Sequence, residues 1–288
     1  MTMLLVAGVD DSPGGSAALR SAAGAAHALG ADVRAVRAWE YPASVPLPGT
    51  PVPLQGPEAQ DTVVASDLER FVNATLGIAG RNVLTEVRRG PAAVALLTAV
   101  AEHRADVVVV GRRGWSPIAG AVLGSTSRSL VEHTPCPIVA VEPGSPSPLR
   151  GGPIVVGIDG SAHALLGLRW ACALARAAGV EVVLVCAVGP PDGDLLVPDR
   201  VRLRGLAVLD EATATLADAA VEHRAILRFG DPRLVLADVA EELDAGLVVV
   251  ASRGTGPVAR LLVGSVALNL VGTLHRPVAV VSTTRVWP

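Results

Sequence analysis

No lysine occurs anywhere in the 288 residues, so all 24 basic side chains are arginine. That absence removes a Walker-type phosphate lysine, a Schiff-base lysine and a lysine general base together. Aromatic residues make up only 2% and the formal net charge is −3, so the chain has neither the stacking rings nor the basic surface that nucleic-acid binding needs. The cysteines are Cys136, Cys172 and Cys186, an odd number with no CxxC or zinc spacing, and they read as buried, reduced, structural thiols. His27, His103, His133, His163, His223 and His275 form no metal spacing either, so surface or packing roles and no metal are expected. Long apolar runs are also missing. The stretch from Ala92 to Ala101 falls well short of the roughly 18 residues that a membrane-spanning helix requires. Met1 to Gly8 carries no basic segment and runs straight into Asp10-Asp11, so it reads as a first strand and not a leader, with the cytoplasm as the expected location.

What is present is small and aliphatic: 50% of the chain is hydrophobic, mainly Ala, Val and Leu, a composition suited to close packing of helices on a sheet. The length suggests two domains, and the chain repeats itself. Gly8-Val9-Asp10-Asp11-Ser12 lies over Gly157-Ile158-Asp159-Gly160-Ser161 at an offset of 149, while Gly90 over Gly230 and Pro137 over Pro277 give an offset of 140. The second copy has therefore lost nine residues, from the Pro/Gly-rich loop that spans Tyr41 to Pro57 in the first. Between the copies runs Pro143-Gly144-Ser145-Pro146-Ser147-Pro148, a stiff linker. The expected division is a domain over 1–143, a linker over 144–152 and a domain over 153–288.

Within each copy, strand-like and helix-like runs alternate. In the first, strands are expected at Leu4 to Val9, Asp32 to Ala38, Asn82 to Arg88, Asp106 to Val110 and Ile138 to Val141; helices at Gly15 to Leu29, Ala59 to Leu76, Pro91 to His103 and Ser125 to Glu132. Uninterrupted aliphatic strands such as Val107 to Val110 and Leu247 to Val250 signal burial on both faces. The expectation is an α/β fold: two tandem repeats, each an open five-stranded parallel sheet with helices on both faces, Rossmann-like. In such sheets ligands bind beyond the carboxyl ends of the strands where strand order reverses. Asp10 and Gly111 both lie at that edge.

The most informative motif is a duplicated glycine frame. Gly111-Arg112-Arg113-Gly114 is followed by nine residues and Gly124-Ser125; Ala251-Ser252-Arg253-Gly254 is followed by nine residues and Gly264-Ser265. Each frame joins a buried strand to a helix start, where unpaired N–H groups and the positive dipole end suit phosphate, and glycine lets backbone approach a ligand. Asp10 and Asp159 have a second reading, as caps of the helices that follow them. Arg112, Arg113 and Arg253 are expected to be solvated beside their loops. Trp39 and Trp170, unmatched between copies, look like core or interface residues.

On these residues the chain resembles the universal stress protein family, in its ATP-binding branch and tandem two-domain form. The resemblance covers nearly the whole chain twice and rests on Gly-x2-Gly-x9-Gly-Ser, the Val-Asp after the first strand, and the Cys-Pro or Arg-Pro before the last strand. It implies an ATP-binding, non-catalytic regulator or sensor of stress, with Mg²⁺ carried by the nucleotide. Carried over position by position, it assigns Val9, Asp10 and Ala38 to the adenosine end, and Gly111, Gly114, Gly124, Ser125 and Thr126 to ribose and phosphates. In the second copy the same roles fall to Ile158, Asp159, Ala187, Gly254, Gly264, Ser265 and Val266, and Ala251 departs from the pattern where the first glycine is expected. The resemblance further implies that the two repeats pair through their last strands as a pseudo-twofold unit, and it allows a homodimer. A slow ATP hydrolase or nucleotide-transfer enzyme is the alternative, opposed by the lack of a Ser-His-Asp arrangement, a second motif carboxylate and any lysine. A dinucleotide or flavin oxidoreductase is disfavoured because Val-Asp-Asp-Ser, not GxGxxG, follows the first strand.

Overall fold

A computed structural model describes residues 2–40, 57–112, 124–146, 148–149, 152–189, 199–216, 220–254 and 263–282. The first repeat runs β1 (Leu4–Gly8), α1 (Pro13–Leu29), β2 (Asp32–Trp39), α2 (Pro57–Leu76), a 3-10 segment (Gly77–Asn82), β3 (Val83–Arg89), α3 (Ala92–Glu102), β4 (Val107–Gly111), α4 (Ser125–His133) and β5 (Ile138–Val141). The second runs β6 (Ile154–Gly157), α5 (Ala162–Ala178), β7 (Val182–Val188), α6 (Asp199–Ala214), β8 (His223–Phe229), α7 (Pro232–Glu242), β9 (Leu247–Ala251), α8 (Ser265–Thr273) and β10 (Val278–Val281).

Local chemistry sets the ends of these elements. The Ser12 hydroxyl accepts from the Gly15 N–H at 3.0 Å and the Ser161 hydroxyl from the Ala164 N–H at 3.1 Å, so serine and not the preceding aspartate caps α1 and α5. Both helices stop at glycines in the left-handed region, Gly30 at φ 62° and Gly179 at φ 69°, a conformation that costs a side chain with Cβ. Asp231 caps α7 through the Arg233 N–H at 2.9 Å. Its counterpart Pro91 is itself the cap residue of α3 rather than a first-turn residue.

Within each repeat the strands are parallel, in the order β3-β2-β1-β4-β5 and β8-β7-β6-β9-β10. The halves join by one antiparallel pair, β5 with β10, into a single ten-stranded sheet. Val139 pairs with Ala279, its own counterpart at the 140-residue offset, while Ile138 pairs with Val280 and Ala140 with Val278. The pseudo-twofold axis therefore passes between Val139 and Ala279. Strands that end each repeat become the centre of the sheet, which removes two apolar edges that would otherwise invite pairing with other chains.

Buried side chains form two continuous layers, and each layer draws on both repeats. One lies beneath α1, α2, α5 and α6; the other beneath α3, α4, α7 and α8. On the first face, Ser21 of α1 and Trp170 of α5 occupy equivalent positions, and both are buried and line one apolar cavity with Leu149 of the inter-repeat segment. Trp170 is thus an interface residue, as its lack of a counterpart suggested. Trp39 is half-buried, its indole N–H donating to Asp61 Oδ1 at 2.9 Å. Cys136, Cys172 and Cys186 are buried free thiols.

Candidate functional site

The connection from β1 leads away to β2 on one side, and β4 returns to pair with β1 on the other, so strand order reverses between β1 and β4. That crevice holds the first candidate site. The Val9 N–H donates to Val36 O at 3.0 Å, extending the β1–β2 ladder by one residue and presenting Asp10 at the sheet's carboxyl edge. Asp10 is exposed, and its Oδ1 accepts from the Ser12 N–H at 3.2 Å and from the Ser12 hydroxyl. The same hydroxyl caps α1, so one hydrogen-bond chain fixes the aspartate to the helix start. A Cβ at Gly15 would overlap the Asp10 carbonyl oxygen and carboxylate, so only glycine lets the loop tuck beneath the helix here.

Gly111 lies beside this turn, at the end of β4. A Cβ there would stand 2.7 Å from the carbonyl carbon of Gly14, in the first turn of α1. Helix packing against Gly14 is therefore enough to require glycine at this position, and Gly111 is not among the residues with positive φ. In the second repeat the pair becomes Ala251 with His163 in place of Gly111 with Gly14. The neck of the frame is closed by main chain in both copies: the Gly124 N–H donates to Arg112 O at 3.0 Å, and the Gly264 N–H to Ser252 O at 2.6 Å. Gly114 and the rest of 113–123 lie outside the described residues, as do 255–262.

Gly124 and Gly264 are the cap residues of α4 and α8, with φ/ψ of −66°/153° and −72°/153°. Neither helix receives a side-chain cap bond, unlike α1, α5 and α7. Glycine offers no side-chain acceptor to their first-turn N–H groups, which stand at the dipole end that favours an anion. Ser125 and Ser265 are exposed, and Thr126 and Val266 half-buried, on those first turns. The Ser127 hydroxyl donates to Gly111 O at 2.8 Å and ties α4 to the end of β4; Ala267 has no hydroxyl to repeat this in α8.

The second site is built alike but not identically. The Ile158 N–H donates to Val185 O at 2.8 Å, and Asp159 Oδ1 accepts from the Ser161 N–H at 2.9 Å. A Cβ at Gly254 would overlap Asp159 Oδ2, so the carboxylate and the frame's second glycine are in contact. Ala38 and Ala187, half-buried near the ends of β2 and β7, flank the two sites. Beside Ala38, the buried Arg37 pairs with Asp11 and lies over the Phe71 ring at 5.3 Å from its centroid. Its counterpart in the second repeat is Cys186, whose thiol is pushed up to about 11 by burial and, secondarily, by the Asp159 charge, so it stays protonated at neutral pH. Sequence reasoning missed Gly14, Gly15, Arg37 and Ser127; the Gly14-Gly15 pair at a helix start was the available signal.

Arg112 departs from expectation. It is buried rather than solvated, pairs with Glu142, and donates from Nη1 to Leu274 O in the other repeat at 3.0 Å. Among the described residues no group of three His, Cys, Asp or Glu side chains could hold a metal ion, and no helix is long and apolar enough to cross a membrane.

The profile of the universal stress protein family matches residues 1–142 and again 152–282. A universal stress protein of Mycolicibacterium smegmatis is 31% identical over 291 residues, covering 96% of each chain. One from Mycobacterium tuberculosis is 37% identical over 191 residues, and there the matched part spans 60% of this chain and 58% of the relative. In three dimensions the crystal structure of a universal stress protein from Archaeoglobus fulgidus superposes with a TM-score of 0.70 at 19% identity, covering 97% of this chain and 98% of that one, a likeness of fold.

Proposed function

This chain belongs to the universal stress protein family, and on that premise we propose that it binds ATP at two sites and acts as a nucleotide-dependent regulator in a stress response, without rapid turnover. The observation that carries the reading is the pair of helices α4 and α8, whose cap residues are glycines that offer no side-chain acceptor, at the crevice where strand order reverses. The residues present fit a triphosphate. Gly124, Ser125 and Thr126, with Gly111 and Gly114, would hold the phosphates and ribose of the first nucleotide; Gly264, Ser265 and Val266, with Gly254, those of the second. A carboxylate repels phosphate, so Asp10 and Asp159 belong to the adenosine end, where hydroxyl and amino donors are offered, flanked by the backbone at Val9, Ala38, Ile158 and Ala187. Mg²⁺ would arrive with the nucleotide. Bound nucleotide supplies the charge that the two helix N-termini receive, and the protein's part is to bind and report it.

Isothermal titration is expected to give two equivalents of ATP per chain. Gly124→Asp and Gly264→Asp, which place a carboxylate where phosphate is received, should each remove one equivalent. If both variants still bind two, the assignment of the frames is wrong. Steady-state hydrolysis at about one per second or faster, within the ordinary enzymatic range, would instead favour the enzyme.

A further inference from the structure

We propose that Arg112 couples the first site to the second, so that occupancy of the first is transmitted along α8. This rests on the nucleotide reading above. Arg112 is the neck of the first frame: its N–H donates to Val141 O at 2.7 Å and its carbonyl accepts from Gly124 at 3.0 Å, immediately before α4. Its guanidinium leaves the repeat altogether, pairing with Glu142 and donating to the carbonyl of Leu274, the C-terminal cap residue of α8. Glu142 in turn meets His275 Nδ1 at 2.6 Å. The other end of α8 is Gly264-Ser265, the phosphate end of the second site. A nine-residue helix is about 13 Å long and moves as a rod, so a shift of its C-terminus is a shift of its N-terminus.

The link is asymmetric in construction, although the coupling it carries is reciprocal, as linkage requires. Ser252 stands where Arg112 would be in the second frame, and Ser282 where Glu142 would be. Among the described residues the carbonyl of Thr134, counterpart of Leu274, receives the Ser282 hydroxyl, at 3.4 Å, and Ser282 is not part of the frame's neck. The first frame also carries the Ser127 to Gly111 tie that Ala267 cannot make. Among the described residues the direct hold is thus built from the neck of the first frame to α8, and through it occupancy of each site shifts the affinity of the other by the same factor. Arg112 is a positioning residue in this scheme, acting on the second site through α8.

The test isolates the first site by Gly264→Asp; among the described residues a Cβ at Gly264 meets nothing closer than Ser252 O at 3.5 Å. Amide hydrogen exchange over residues 270–275 is then measured with and without ATP, at concentrations that calorimetry shows to fill the first site. ATP should slow exchange there about fivefold or more, the lower range of allosteric coupling. Adding Arg112→Ser with Glu142→Ser, the residues the second repeat itself uses, should reduce the effect to under about twofold while the first site still fills, and unchanged exchange of the central strands would show that this variant is folded. Persistence of the slowing in that variant, or no slowing in the Gly264→Asp parent at full occupancy, overturns the coupling alone. No ATP heat from the unmodified chain overturns the nucleotide reading and the coupling with it.

Discussion

One methyl group separates Gly111 from Ala251, and the chain itself accounts for it. Gly14 fills the space that a Gly111 side chain would take, so Gly111→Ala should force α1 away from β4 and cost about 1–3 kcal/mol, the usual range for overpacking a tight contact. Urea unfolding measures this directly. In the second repeat the positions equivalent to Gly111 and Gly14 are Ala251 and His163, so the glycine-to-glycine contact is not repeated there. Ala251→Gly is therefore expected to leave ATP affinity at the second site within about twofold of the parent, since no interaction worth the 1.4 kcal/mol of a tenfold change is involved. A clear tightening would show that the ligand, and not α1, is what glycine admits at this point of the frame.

At the scale of elements, the helices divide by how they begin. Serine or aspartate caps α1, α5 and α7, Pro91 opens α3 without a side-chain bond, and glycine begins α4 and α8. Asp231 shows what a true cap contributes: Arg233 holds its carboxyl below the usual 3.8, first through its side-chain hydrogen bond and then through backbone bonding and charge, against the opposing effect of burial. Because the folded value is depressed, this contribution is fully present above pH 3.8 and is lost as pH falls through the lowered value. Asp231→Ala should cost about 1 kcal/mol at neutral pH, by analogy with other cap deletions. The gap in Tm between parent and variant should then narrow in strong acid. A gap that stayed constant from pH 7 to about pH 2 would mean that the ionised carboxylate contributes nothing to α7.

For the whole molecule, the antiparallel pairing of β5 with β10 makes two repeats into one cooperative unit, since both buried layers run across it. Ala279 sits on the pseudo-twofold axis and is fully buried. Ala279→Glu would bury a charge there without a partner, a cost of several kcal/mol. Calorimetry should show one transition for the parent, with van't Hoff and calorimetric enthalpies equal, and a broadened or double transition for the variant as the repeats unfold separately. A single sharp transition at the parent's Tm would show that the helix layers alone hold the repeats together. The same junction allows asymmetry that identical subunits could not have: Trp170 opposite Ser21, and Arg112 opposite Ser252.

By itself the sequence determined the repeat, the alternation of strand and helix, the parallel class of the sheet and the edge at which the glycine frames stand. These follow from periodicity and from turn chemistry, which act over a few residues and are written locally. It also pointed to the pairing of the last strands, through their short apolar runs and the family resemblance. Only the tertiary structure decided which glycine is required by what. Gly111 answers to Gly14, nearly a hundred positions earlier, and Gly15 to the Asp10 carbonyl, because the close approach of two backbones is a property of the packed fold and leaves no periodic trace. Arg112 is the plainest case. Its local setting reads as a solvated loop, whereas its partner Leu274 comes beside it only once β5 and β10 have paired, and a hydrogen bond between repeats has no signature in either one.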